Sequence, residues 1–260
     1  MSDLIVGALP WAIVLSALLV YSIRVMMSGR LRSNRADSDG GSVLLSLHFL
    51  EFGQWFLSPL GRFIVRSGGT PDGVTWVSLL SGVGAGIAVA FGRFGLATLL
   101  GAIACFCDSL DGMVARLSGL SSEAGETLDA IVDRYSESAF FVGLLLHYRE
   151  SFLIMVVVSL AMLGAFMVSY TSAKAEAQDV EPPRGLMRRS ERAVYLVGGA
   201  GLTPFSNALL PDSAPLILRD APIMLAMVLI ALVANASTFR RVSLIRQALR
   251  SQELAVKNAR

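Results

Sequence analysis

The sequence predicts an all-α membrane protein, a polytopic bundle of helices that crosses the bilayer several times. Of its 260 residues, 54% are hydrophobic and only 16% are charged, whereas soluble domains have about 45–50% apolar and about 25% charged residues. Apolar stretches of about 20 residues, the length that spans a bilayer as a helix, also recur along the chain. We predict seven such helices, at about 4–26, 73–92, 95–116, 125–147, 151–175, 190–210 and 219–239.

The first of these helices is predicted to be an N-terminal membrane anchor within residues 1–27. It is apolar from Leu4 to Tyr21 and lacks the basic start and small-residue cleavage site of a secretory signal peptide. A flexible linker and an amphipathic helix follow over residues 28–69. The segment LLSLHFLEFGQWFLSPLGRFIVR interrupts helically spaced apolar residues with charge, a pattern typical of a helix lying in the membrane interface.

The second predicted span begins at the segment GGTPDGVTWVSLLSG. Proline is common at the first helical position, so we expect the helix to begin at Pro71. Asp72 is a residue type that caps helix starts, and we expect it to act as the cap.

The placement of lysine and arginine predicts how the bundle is oriented. The loops after the first, third, fifth and seventh predicted helices lie on one side of the membrane, and this side, with the adjacent helix ends, holds 19 of the 22 basic residues. The opposite side holds only Arg93, Arg149 and Arg219. Because basic residues favour cytoplasmic loops, the side with 19 basic residues is predicted to face the cytoplasm, and the N-terminus is predicted to lie outside. We therefore predict an integral protein of the cell (inner) membrane, with a basic cytoplasmic tail over residues 241–260.

The stretch DSLDGMVARLSGLSSEAGETLDAIVD places four aspartates where a bilayer disfavours charge. Asp108 and Asp111 are three residues apart and share one helical face, while Asp129 and Asp133 are four apart and share a face of the next helix. The short connector predicts that the helices are neighbours, so the carboxylates should converge at the cytoplasmic surface. Carboxylates without His or Cys favour a hard cation, Mg²⁺ or Mn²⁺, and Arg116 beside them suits a phosphate.

Two other interpretations of this cluster are possible. Interhelical salt bridges explain a single buried acid, but four aspartates against one arginine leave an excess of negative charge. An ion pathway is the second, because intramembrane acids often mark transporters. Transporter sites lie near the midplane between repeated halves, whereas these acids lie at helix ends and no repeat is evident. A metal or ion transporter is thus the non-enzymatic alternative.

The same stretch fits the pattern D-x2-D-G-x2-A-R-x8-G-x3-D-x3-D without a gap, and the sequence therefore resembles the CDP-alcohol phosphatidyltransferases. The matching residues are Asp108, Asp111, Gly112, Ala115, Arg116, Gly125, Asp129 and Asp133. The resemblance implies transfer of a phosphatidyl group from CDP-diacylglycerol to an alcohol, with release of CMP. It also implies a homodimer and a six-helix catalytic domain over residues 70–240, to which the first helix is an addition.

The resemblance further implies roles for individual residues. The four aspartates would hold one or two Mg²⁺ or Mn²⁺ ions on the pyrophosphate, and Asp133 would be the general base for the acceptor hydroxyl. Gly112 and Ala115 would leave room for the nucleotide, Arg116 would reach its phosphates, and Gly125 would allow close helix approach. The residues implied to contact the CDP-lipid are Asp108, Gly112, Ala115, Arg116 and Gly125.

Basic residues near the sixth predicted helix favour an acceptor that carries its own phosphate. This region resembles the S-Y-x-K-A-R-A-E and G-x-x-x-R-x-E-R segments of phosphatidylinositol phosphate synthases, which implies inositol phosphate as acceptor and Lys174, Arg189 and Arg192 as residues that bind its phosphate. Ser172 stands where those enzymes have a lysine, so glycerol 3-phosphate is the main alternative. We expect membrane lipid and small-molecule partners, and no nucleic acid. The matching residues are Ser169, Tyr170, Ala173, Lys174, Ala175, Glu176, Gly185, Arg189, Glu191 and Arg192.

Overall fold

A computed structural model describes residues 2–28, 47–181 and 185–258 of the chain. The regular elements in these ranges are all helical, which confirms the all-α prediction. Much of the predicted linker lies outside the described residues. The helices are α1 Ser2–Ser28, α2 Leu47–Arg66, α3 Pro71–Ala90, α4 Phe94–Ser118, α5 Glu123–His147, α6 Phe152–Glu176, α7 Arg189–Leu209, α8 Leu216–Arg219 and α9 Ala221–Asn258.

Among the described residues, five helices are long and apolar enough to cross a membrane: α1, α3, α4, α6 and α9. The other two predicted spans, α5 and α7, have lengths of 25 and 21 residues but are more polar, because charged residues occupy their first turns. These are the halves of α5 and α7 that build the site described below. The composition of the helices and their lengths identify an integral membrane protein.

Two side-chain caps fix the starts of α3 and α5. Thr70 Oγ1 accepts a hydrogen bond from the backbone N of Gly73 at 3.2 Å, so the expectation that Asp72 caps α3 is wrong. Thr70 takes this role because it directly precedes Pro71, whereas Asp72 already lies in the first helical turn. Ser122 Oγ likewise accepts from the backbone N of Gly125 at 3.1 Å and caps α5.

The helix α3 packs along both α4 and α5, and α9 packs along α6 and against α7. The predicted neighbours α4 and α5 contact each other only sparsely, because α3 is the main neighbour of both. Close approach of α3 and α5 depends on glycines: a Cβ on Gly86 would collide with the Ala139 carbonyl, and one on Gly143 would collide with the Gly86 carbonyl. Small residues let helix backbones approach in this way.

The N-terminal helix α1 packs against α4 and α7. The Asp3 carboxylate accepts hydrogen bonds from the backbone N of Gly95 at 2.9 Å and of Leu96 at 3.3 Å, and so caps α4 from another helix. Towards its other end, the buried Tyr21 donates its hydroxyl to Glu51 Oε2 of α2 at 3.4 Å. The added helix thus contacts both α4 and the amphipathic helix.

Candidate active site

Three of the four predicted aspartates come together at the junction of α4 and α5. Asp108, Asp129 and Asp133 each offer a carboxylate oxygen, and these oxygens lie within 4.8 Å of one another. Asp133 is buried and the other two are half-buried. Oδ1 of Asp129 is buried and has no hydrogen-bond partner among the described residues. An all-oxygen donor set with an unpartnered oxygen fits Mg²⁺ or Mn²⁺.

The fourth aspartate, Asp111, lies outside this group of three. It is 5% exposed, and its Oδ2 accepts a hydrogen bond from Thr75 Oγ1 of α3 at 2.9 Å. Its Oδ1 accepts from the backbone N of Gly112 at 2.6 Å. Asp111 is therefore held by α3, and its assignment as a metal ligand stays a prediction. Thr75 lies in the segment GGTPDGVTWVSLLSG that begins the second predicted span, but the sequence did not indicate this contact.

Arg189, the first residue of α7, adds a positive charge to the cluster. Its Nη1 donates to Asp108 Oδ1 at 2.6 Å, and its Nη2 forms an ion pair with Asp133 Oδ1. Hydrogen bonds between a guanidinium and a carboxylate are among the stronger ones in proteins. Arg189 thereby connects α7 to both α4 and α5, and it holds two carboxylates that are also predicted metal ligands.

The other residues predicted to contact the CDP-lipid lie near the ends of α4 and α5. The guanidinium of the exposed Arg116 lies over Gly112, since a Cβ on that glycine would stand 3.3 Å from Arg116 Nη1. Ala115 is half-buried beside them. Gly125 lies in the first turn of α5, where a Cβ would be 4.0 Å from Asp72 Oδ1. The starts of α3 and α5 are therefore adjacent to each other.

The three residues predicted to bind the acceptor phosphate have different environments. Arg189 lies in the carboxylate cluster, and Lys174 is exposed in the last turn of α6. Arg192 is fully buried. Its Nε and Nη2 donate to Glu137 of α5 at 2.6 and 2.8 Å, and its Nη1 donates to the Met187 carbonyl at 2.8 Å. The structure thus brings Arg189, and not Arg192, to the predicted metal ligands.

A further arginine reaches this region from the last helix. Arg241 is 5% exposed, and its Nη1 donates to Ser172 Oγ of α6 at 2.6 Å. Its Nε is buried without a hydrogen-bond partner among the described residues. The Arg241 guanidinium of α9 therefore reaches Ser172, the position at which the resemblance led us to expect a lysine. No local pattern indicates this contact, because Arg241 falls at the start of the predicted basic tail.

Comparison with known proteins agrees with this geometry. Residues 69–243 match the family described as CDP-alcohol phosphatidyltransferase. Phosphatidylinositol phosphate synthase of Mycobacterium marinum is 32% identical over 163 residues, which are 61% of this chain and 69% of the relative. The enzyme of the same description from Streptomyces avermitilis is 30% identical over 218 residues, 82% of this chain and 89% of the relative.

Solved structures of Mycobacterium tuberculosis phosphatidylinositol phosphate synthase share the fold. The crystal structures with CDP-DAG bound and in complex with manganese and citrate each have a TM-score of 0.63 and 25% identity to this chain. Each match covers 73% of this chain. It covers 92% of the solved chain with CDP-DAG and 88% of the one with manganese and citrate. The resemblance found in the sequence is thus confirmed.

Proposed function

The chain belongs to the CDP-alcohol phosphatidyltransferase family, and we propose that it transfers the phosphatidyl group of CDP-diacylglycerol to inositol phosphate. The products would be CMP and phosphatidylinositol phosphate. As a member of this family it is a metal-dependent transferase of phospholipid biosynthesis that uses Mg²⁺ or Mn²⁺. The observation that carries the proposal is the junction of three carboxylates with Arg189 inside the matched region.

The carboxylate cluster supports the donor half of the reaction. A divalent cation held by Asp108, Asp129 and Asp133 would stabilise the negative charge that develops on the leaving CMP. We propose that Asp133 accepts the proton of the acceptor hydroxyl, because it is the buried member of the group and a base must lie within hydrogen-bond reach of the reacting atom. Gly112 has no side chain and so admits the Arg116 guanidinium, which would bind the nucleotide phosphates.

The arginines support an acceptor that carries a phosphate. Arg189 stands at the cluster, and Arg188 and Arg192 are charged neighbours of the buried Arg241. Arg241 forms no ion pair with a carboxylate among the residues the structure describes, so its guanidinium has donors available for an anion. Guanidinium groups bind phosphate through two parallel hydrogen bonds. The relatives described as phosphatidylinositol phosphate synthases favour inositol phosphate over glycerol 3-phosphate.

The acceptor is tested with purified protein in nanodiscs containing CDP-diacylglycerol and Mg²⁺ or Mn²⁺. CMP release is followed with inositol phosphate, free inositol, glycerol 3-phosphate and serine. We expect metal-dependent release with the highest kcat/KM for inositol phosphate, and no release by the Asp133→Asn variant. The highest kcat/KM for glycerol 3-phosphate would overturn the acceptor assignment. No CMP with any acceptor would overturn the donor half as well.

We also propose that the site faces the cytoplasm of a cell inner membrane and that the protein acts as a homodimer. The excess of basic residues on the side of the cluster supports the orientation, and the family resemblance suggests the dimer. A Ser121→Cys variant places a thiol in the exposed connector between α4 and α5. It should react with an impermeant maleimide in inside-out vesicles and stay unlabelled in right-side-out ones. Mass photometry in nanodiscs distinguishes one copy from two.

A further inference from the structure

Glu137 and Arg192 form a buried ion pair one helical turn away from the carboxylate cluster. Arg192 Nε donates to Glu137 Oε1 at 2.6 Å, and Nη2 donates to Oε2 at 2.8 Å. The Arg192 side chain is 0% exposed and that of Glu137 is 14% exposed. Glu137 lies four residues after Asp133 on α5, and Arg192 lies three residues after Arg189 on α7. Two neighbouring ion pairs therefore join α5 to α7, and only one of them contains predicted metal ligands.

Arg192 also holds the backbone that leads into α7. Its Nη1 donates to the Met187 carbonyl at 2.8 Å, and its Nη2 lies 3.4 Å from Ser169 Oγ of α6. Met187 is buried and has a φ of 61°, a left-handed conformation that few residues other than glycine adopt. Such a conformation persists only where surrounding contacts hold it. Met187 precedes Arg189 by two residues, so Arg192 helps to set where α7 begins.

Arg189 itself lies beside space into which its side chain can move. A cavity of about 60 Å³ is lined by Asp133, Ser136, Glu137 and Arg189, together with residues of α3, α4, α5 and α7 that are mostly apolar. This volume is large enough to hold water. Packing therefore does not enclose Arg189 on the side of this cavity. A displacement of about 1 Å at a reacting group can cost about 100-fold in rate.

We propose that Glu137 and Arg192 are positioning residues: together they hold the start of α7 so that Arg189 faces Asp108 and Asp133. The proposal rests on the proposed function, in which Arg189 binds the acceptor phosphate. Arg192 acts through Arg189 and does not contact the acceptor, because its guanidinium is fully buried and its donors are directed at Glu137, Met187 and Ser169. Glu137 is not part of the motif that defines the family resemblance.

A pair of substitutions separates positioning from stability. Removing one partner leaves an unpaired buried charge and destabilises the fold, whereas replacing both partners with apolar side chains of similar size often preserves it. We therefore expect the Glu137→Met/Arg192→Met double variant to unfold close to the wild-type temperature. Its KM for the acceptor should still rise about tenfold or more, while its KM for CDP-diacylglycerol stays nearly unchanged. A wild-type acceptor KM in this variant would overturn the proposal.

The Arg192→Lys variant keeps the charge but loses the two parallel hydrogen bonds to Glu137. It should also raise the acceptor KM, and it provides the measurement if the double variant does not fold. Tyr148→Phe is the matched control. Tyr148 donates to Asp220 Oδ2 at 2.7 Å, both residues are buried, and the bond joins the far end of α5 to the start of α9. Burial and the Asp220 carboxylate raise the pKa of Tyr148, so its phenol stays protonated and keeps this bond.

We expect Tyr148→Phe to lower the unfolding temperature without changing the acceptor KM. An equal rise in acceptor KM in the Tyr148→Phe and Arg192→Lys variants would show that any loss of packing has this effect, and would overturn the proposal. Failure of the wild type to release CMP would instead overturn the proposed function. In that case Mn²⁺ affinity, measured by electron paramagnetic resonance, tests positioning: it should change in the double variant and not in Tyr148→Phe.

Discussion

Arg189 and a metal ion require the same carboxylate oxygens, so removal of this guanidinium is expected to tighten metal binding. Arg189 binds Asp108 and Asp133, and both belong to the group of three carboxylates. A cation that coordinates both must first displace the arginine from them. The Arg189→Gln substitution removes the charge and shortens the side chain while leaving a polar group at the start of α7.

The size of the effect follows from the two bonds that have to break. Each hydrogen bond between charged groups contributes about 1.5 kcal/mol or more, which gives about 3 kcal/mol for the pair. The Arg189 side chain is 31% exposed, so solvent screening reduces this to about 1.5 kcal/mol. Because 1.4 kcal/mol corresponds to a factor of ten, we expect the Kd for Mn²⁺ to fall about tenfold.

Titration of purified protein with Mn²⁺, with free ion read by electron paramagnetic resonance, measures this Kd without turnover. Arg134→Gln is the control, because Arg134 follows Asp133 but donates to the Ala130 carbonyl at 2.5 Å and forms no ion pair with the carboxylate cluster among the described residues. It removes a nearby positive charge without breaking the Arg189 contacts. An Arg189→Gln variant that binds Mn²⁺ no more tightly than Arg134→Gln would refute the competition.

Three further substitutions test the site and its supports. Asp129→Asn removes the carboxylate with the unpartnered buried oxygen. We expect its affinity for Mn²⁺ to fall by at least about tenfold in the same titration, and wild-type affinity would exclude Asp129 as a ligand. Thr75→Val removes the 2.9 Å hydrogen bond to Asp111 and should lower kcat/KM about tenfold, whereas Thr75→Ser should recover it. A Thr75→Val variant as active as the wild type would show that this hydrogen bond is dispensable. Asp3→Ala removes the cap on α4, which costs about 1 kcal/mol and should lower Tm by about 2–4 °C without altering CMP release.

The sequence was a good guide to individual helices because length and hydrophobicity are local properties. The span predicted at 95–116 is Phe94–Ser118, and the one at 151–175 is Phe152–Glu176. Convergence of Asp129 and Asp133 with Asp108 was also predictable, since side chains four residues apart share a helical face and the connector is short. The spacing of three did not reveal that Asp111 is held by Thr75, outside this group. These features require only the geometry of a single helix and the approximate adjacency of two helix ends.

The partners of the charged groups were not predictable, because they depend on how separate helices pack. Arg189 meets Asp108 across 81 residues of sequence, and Arg241 meets Ser172 across 69. The short connector correctly indicated that the ends of α4 and α5 are near each other. Along most of their length, however, α4 and α5 each pack against α3 and not against each other. The glycine contacts of α3 with α5 determine this arrangement, and a glycine in the sequence does not reveal which helix it will face.

The four aspartates that a bilayer disfavours are not equivalent once their partners are known. Asp111 is satisfied by Thr75 and a backbone N–H, and Arg189 neutralises part of the charge of Asp108 and Asp133. Asp129 Oδ1 is buried and has neither a hydrogen-bond nor an ion-pair partner among the described residues, whereas Asp133 Oδ1 is paired with Arg189. An unpaired buried acceptor is unfavourable unless a ligand satisfies it. The unpaired oxygen of Asp129 thus lowers the stability of the fold. A cation bound at this oxygen would remove that cost, so Asp129 is the aspartate at which binding stabilises the protein most.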